Sequence, residues 1–110
     1  MPIIKKSAAV LTGATVDNVL AGSAFEFLPY NAQVRYAING SATGFVATVQ
    51  SGSDTLMEES PINIQARFGV FPDDFDLQDV AAAGERQIVK LRNTSAGTLT
   101  YYVTLQVEQM

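Results

Sequence analysis

At 110 residues, 47 % of them apolar and only 16 % charged, the chain has the size of one domain and a sparsely charged surface. Eleven acidic residues against seven basic ones give a net charge of −4, and the cations Lys5, Lys6, Arg35, Arg67, Arg86, Lys90 and Arg92 are scattered. No basic stripe is offered to a phosphate backbone, so nucleic acid is not expected as a partner.

The absence of Cys excludes disulfides and thiolate metal sites, and the absence of His removes the usual general base and the commonest metal ligand. Triads of the Ser-His or Cys-His kind are therefore impossible, and no enzyme activity is expected. The N-terminus lacks the charged and apolar regions of a signal peptide, and no apolar run approaches the ~20 residues of a membrane span. The expectation is synthesis in the cytoplasm with no membrane contact. Asn39-Gly40-Ser41 and Asn93-Thr94-Ser95 match the glycosylation acceptor pattern, an incidental match in that compartment.

In chain order, residues 4–12 read as a strand or an extended arm, and residues 15–20 and 23–28 as two short strands cut by Gly13, Gly22 and Pro29. Ala32, Val34, Tyr36 and Ile38 alternate with Gln33, Arg35 and Ala37, and a second alternating run follows at 44–50. Asn39-Gly40 between them predicts a hairpin, because both residues tolerate the positive φ of a type I′ turn. Ser51-Gly52-Ser53-Asp54 closes that strand.

Residues 55–58 form a further short strand, broken at Ser60-Pro61, and residues 62–66 alternate again; Pro61 and Pro72 belong in edge strands or loops. The acidic stretch 72–80 reads as a loop leading into a strand at about 75–80. Residues 87–93 and 98–108 alternate strongly, with Leu99, Tyr101, Val103, Leu105 and Val107 on one face. The turn formers 93–97 between them predict a C-terminal hairpin with one wet face, carrying Thr100, Tyr102 and Thr104.

Seven to nine short strands with turn signals every 8 to 12 residues make the chain all-β: a single antiparallel β-sandwich over residues 1–110, jelly-roll-like, with a short N-terminal arm. Period and turn spacing do not separate a plain sandwich from a jelly roll. Tyr36, Phe45 and Tyr101 belong to the core, whereas Tyr102 on the polar face is available for an interface or ligand. Asp73, Asp74, Asp76 and Asp79 lack the Gly and distal Glu of a calcium loop and read as a solvated acidic loop, so no metal and no cofactor is expected. Glu58-Glu59 reads as a charged surface edge, since adjacent strand residues point to opposite faces.

Three stretches carry a resemblance: residues 49–56, Phe71-Pro72-Asp73-Asp74, and residues 84–97, in which a strand begins at Gly84-Glu85-Arg86 and ends in Asn93-Thr94. They resemble small virion proteins of bacteriophages, over about half of the chain. The resemblance implies a capsid decoration, cement or minor coat subunit, a homo-oligomer, often a trimer, bound to a major capsid protein or another virion protein. The alternative is a carbohydrate- or peptide-binding module on a phage tail or surface appendage. A low-charge sandwich protects its edge strands poorly, with Arg67 the one cation between Asn39 and Glu85, and pairing with a neighbour answers that exposure. The expected contact surface is the arm, Ile3, Ile4, Lys5 and Lys6, with Thr100, Tyr102 and Thr104; the other reading of Lys5 and Lys6 is solubility of a frayed end.

Overall fold

The computed structural model describes residues 3–69, 74–75 and 77–110. Among these there is no helix, and two sheets pack face to face. The strands are β1 (Ile3–Val10), β2 (Thr15–Val16), β3 (Ala32–Gly40), β4 (Phe45–Ser51), β5 (Asp54–Pro61), β6 (Asn63–Ile64), β7 (Leu77–Ala81), β8 (Gln87–Asn93) and β9 (Leu99–Gln109).

The first sheet has the order β1-β9-β3, and the far side of β3 is shared by β7 near its start and β6 at its end. The second sheet has the order β2-β8-β4-β5. All pairings are antiparallel except β3 with β6.

The alternation read from the sequence sets the core. Val34, Tyr36 and Ile38 of β3 and Leu99, Tyr101, Val103, Leu105 and Val107 of β9 face Phe45, Ala47 and Val49 of β4 and Val89 and Leu91 of β8 in one apolar cluster. Val19, Leu20 and Leu28, from the connection between β2 and β3, join the same cluster.

Both expected hairpins are absent, and the reason lies in which sheet each strand enters. β3 and β4 lie in different sheets, as do β8 and β9, so residues 41–44 and 94–98 are bridges across the sandwich and not tight turns. The two bridges lie side by side: the backbone N–H of Thr94 and its Oγ1 both donate to the Gly44 carbonyl, at 2.8 and 2.6 Å. Asn93 closes its bridge by donating through Nδ2 to the carbonyls of Val10 and Gly97 and by accepting the Ser95 N–H at Oδ1. Gly44 has φ +134°, and a Cβ there would stand 2.6 Å from that of Ser95, so both conformation and space call for glycine.

Asn39 and Gly40 form no turn. They are the last residues of β3; Asn39 is buried, and Gly40 is needed for closeness to Phe45, whose Cδ2 would lie 2.8 Å from an added Cβ. The true hairpin joins β4 to β5 through Gly52-Ser53, with Gly52 at φ +60°.

Toward the N-terminus the expected arm is a full strand, since β1 pairs with β9 from Ile3↔Gln106 to Val10↔Leu99. The strands expected over 15–20 and 23–28 reduce to β2 and to a single bridge, Phe27↔Arg86, because Asn18 bends the chain. Its Oδ1 accepts the N–H groups of Leu20 and Val89.

Candidate interaction surface

Antiparallel pairing of β1 with β9 puts Lys5 beside Thr104, Ser7 beside Tyr102 and Ala9 beside Thr100, so Ile3 and Lys5 of the expected arm share one outer surface with the expected polar face, whereas Ile4 and Lys6 oppose Leu105 and Val103 on the core face. Directly opposed strand residues project to the same face. Lys5 is exposed and its Nζ stands 5.5 Å from the centre of the Phe68 ring, which meets Tyr102 edge-to-face at 5.4 Å. Such a cation over an aromatic pair is worth about 0.5–1 kcal/mol at an exposed site. Ile3 is 52 % exposed, while Ile4 is half-buried and packs against the core; Lys6 and Thr100 are half-buried.

Thr104 does not belong to an open surface. It is 2 % exposed, as Ala37 and Asn39 beside it on β3 are 0 % exposed, because residues 65–69 and Asp74 run across the outer face of the sheet. Asn39 donates through Nδ2 to the Arg67 carbonyl, at 3.0 Å. A Cβ on Gly69 would lie 2.5 Å from that of Ala37, so the segment lies flat on the sheet only with glycine there. The wet face expected for β9 is thus dry at its centre.

The acidic stretch differs in the same way. Asp74 is 8 % exposed and accepts from Arg67 Nη1 at 3.1 Å and Gln65 Nε2 at 3.2 Å, fastening the segment and not standing in solvent. Asp73 and Asp76 lie outside the described residues, and among the described residues no group of three acidic side chains could hold a metal ion. Glu58 and Glu59 are both exposed because β5 bulges there, placing two residues against Thr48. The Arg92 guanidinium, bonded to Glu59, holds that carboxyl below its usual range.

One cluster inside the sandwich escaped sequence reasoning. The Tyr36 hydroxyl donates to Gln87 Oε1, and Gln87 Nε2 donates to Ser51 Oγ at 3.0 Å, tying the two sheets together through wholly buried side chains. Burial, reinforced by the negative charge of Asp79, pushes the Tyr36 phenol well above its ordinary 10. A buried glutamine on an alternating strand was the available signal: Gln87 falls on the face of Val89 and Leu91. Beside this cluster, Tyr36, Ile38, Met57, Pro61, Ile62 and Leu77 line a recess of about 70 Å³ between the sheet edges, small against the roughly 300–1,000 Å³ of ligand pockets.

No family model and no curated protein matches the chain. Among solved structures, PliG of Salmonella Typhimurium, a periplasmic inhibitor of g-type lysozyme, is similar in fold. It superposes with a TM-score of 0.52 at 12 % identity, over 96 % of this chain and 87 % of PliG.

Proposed function

We propose that the chain is a structural virion protein, a non-enzymatic jelly-roll sandwich that docks on a capsid as a decoration, cement or minor coat subunit and associates with copies of itself. Strand order carries this reading. Setting aside the two-residue β6, which runs parallel to β3, and counting β7 as the sixth strand, the sheets run first-eighth-third-sixth and second-seventh-fourth-fifth. Two interleaved Greek keys produce that order in the jelly rolls of viral capsid and lectin domains. The resemblance read from residues 49–56, 71–74 and 84–97 to small phage virion proteins agrees with it.

On this reading the protein is made in the host cytoplasm, resides in the virion, and needs neither cofactor, nucleic acid nor membrane. Its docking face is the patch of exposed Lys5 and half-buried Phe68 and Tyr102, a cation on an aromatic pair of the kind of ring enriched at interfaces. The trimer that the resemblance implies is one form of self-association available to it. The test is co-sedimentation with shells assembled from the major capsid protein of the same genome. The protein is expected to pellet with shells, and Lys5→Glu to weaken that binding about tenfold while costing the fold no more than the about 0.5–1 kcal/mol of the lost contact with Phe68.

A second reading, a carbohydrate- or peptide-binding module on a tail or appendage, is favoured by the likeness in fold to PliG, an inhibitor of g-type lysozyme. Failure to pellet with shells, together with signal on a glycan or peptide array, decides for it.

A further inference from the structure

The two sheets end very differently. β5, the outer strand of the second sheet, shifts register against β4 between Ala47 and Val49 and again between Val49 and Gln50, carries Glu58 and Glu59, and ends in Pro61. Bulges, charges and proline are the devices by which proteins keep an edge from pairing with a stranger. β1, the outer strand of the first sheet, has none of the bulges: its eight pairs with β9 run in unbroken register, and among the described residues nothing pairs with its other side. Its only guards are Lys5 and Lys6.

We propose that two copies of the chain join edge to edge through β1, antiparallel about a two-fold axis at Ser7, so that the first sheet continues from one copy into the other. This rests on the reading of a self-associating subunit and gives it a surface and a symmetry, with a pair in place of the expected trimer. An axis between two antiparallel strands stands perpendicular to the sheet and keeps each residue on its own face. Allowed registers are therefore centred on a residue. Centring on Lys6 sets lysine against lysine, which destabilises.

Centring on Ser7 sets Lys5 against Ala9, Lys6 against Ala8 and Ile4 against Val10, with Ser7 facing its own counterpart. Every cation then lies opposite a small neutral residue, and Ser7, Ala8 and Ala9 are all exposed and leave room for the lysine stems. The charges that repel a mismatched strand thus admit this one, which is how a second copy is distinguished from an arbitrary extended peptide. Space is also present on both faces, since the second sheet reaches this side only with the two-residue β2.

The test uses the intact protein and its lack of native cysteine. Light scattering behind a sizing column is expected to give a dimer that dissociates on dilution. Facing residues have Cβ atoms roughly 4.5–5.5 Å apart, close to the spacing of a disulfide. Ser7→Cys is therefore expected to oxidise to a covalent dimer at least about tenfold faster than Ala9→Cys, whose counterparts lie two strand positions either side of the axis. Ala8→Lys with Ala9→Lys is expected to raise the dissociation constant about tenfold or more without shifting the monomer's unfolding midpoint.

A monomer at every concentration, a trimer indifferent to Ala8→Lys, or equal cross-linking of the two cysteine variants would overturn the pairing. So would an assembly abolished by Glu58→Lys with Glu59→Lys but not by the alanine changes, which is head-to-tail joining of β1 to β5. A monomer that still pellets with shells overturns this inference alone, and a Ser7-centred dimer that ignores shells overturns only the virion reading.

Discussion

Replacing Tyr36 by Phe removes one oxygen from the centre of the sandwich and leaves Gln87 Oε1 buried without its donor. A buried acceptor stripped of its partner costs about 1–3 kcal/mol, part of it recovered because the phenol no longer has to be desolvated, so the net loss is about 1–2 kcal/mol. For a domain of this length each kcal/mol lowers the melting temperature by about 4–8 °C. Urea unfolding is expected to show a lower midpoint with an unchanged slope, since the surface exposed on unfolding is the same. Adding Gln87→Leu, which removes both ends of the bond, is expected to cost less than the sum of the single changes. An unchanged midpoint for Tyr36→Phe, or strict additivity in the double variant, would refute the view that this hydrogen bond joins the sheets.

The same phenol makes stability pH-dependent. Its folded pKa is raised, by burial first and Asp79 second, so its contribution is complete below about 10, the unfolded value, and is lost as pH rises beyond it. Between pH 9 and 11 the wild type is expected to lose up to about 1.4 kcal/mol more than Tyr36→Phe; equal losses would contradict the burial. Tyr101, also raised by burial, titrates in both proteins and cancels in that comparison. Gly69→Ala, driven against Ala37, is expected to cost about 1–3 kcal/mol and to increase quenching of Tyr102 fluorescence as the covering segment lifts, with partial rescue by Ala37→Gly. Thr104→Val is expected to be neutral or stabilising by up to about 1 kcal/mol in thermal melts, because Thr104 Oγ1 is buried with no hydrogen-bond partner among the described residues. Destabilisation there would mean that the hydroxyl has a use the geometry does not reveal.

Alternation made the four central strands β3, β4, β8 and β9 legible, because a residue on a half-buried sheet declares its face by its chemistry. It did not declare its neighbour. Period two is the same whether consecutive strands pair in one sheet or face each other across a core, so Asn39-Gly40 and residues 93–97 passed for hairpin turns when they are the end of a strand and a bridge. Lys5, Tyr102 and Thr100 share one face because β1 and β9 pair. Thr104 was misplaced because burial by residues 65–69 is a long-range event with no local periodicity. Phe68, the ring between Lys5 and Tyr102, carried no pattern of its own, and Gln87 read as an ordinary strand residue although its place in the alternation already turned it inward.

The position of β9 orders the events of synthesis. It is the strand between β1 and β3, so the first sheet has a gap at its middle until residues 99–109 have emerged. A nascent chain stalled before that point holds β1 with no neighbour and β3 with one flank bare, both offering unpaired backbone. The first sheet therefore closes only once residues 99–109 have emerged, and a ribosome-bound fragment ending before Leu99 is a substrate for chaperones and proteases, not a partly finished sandwich.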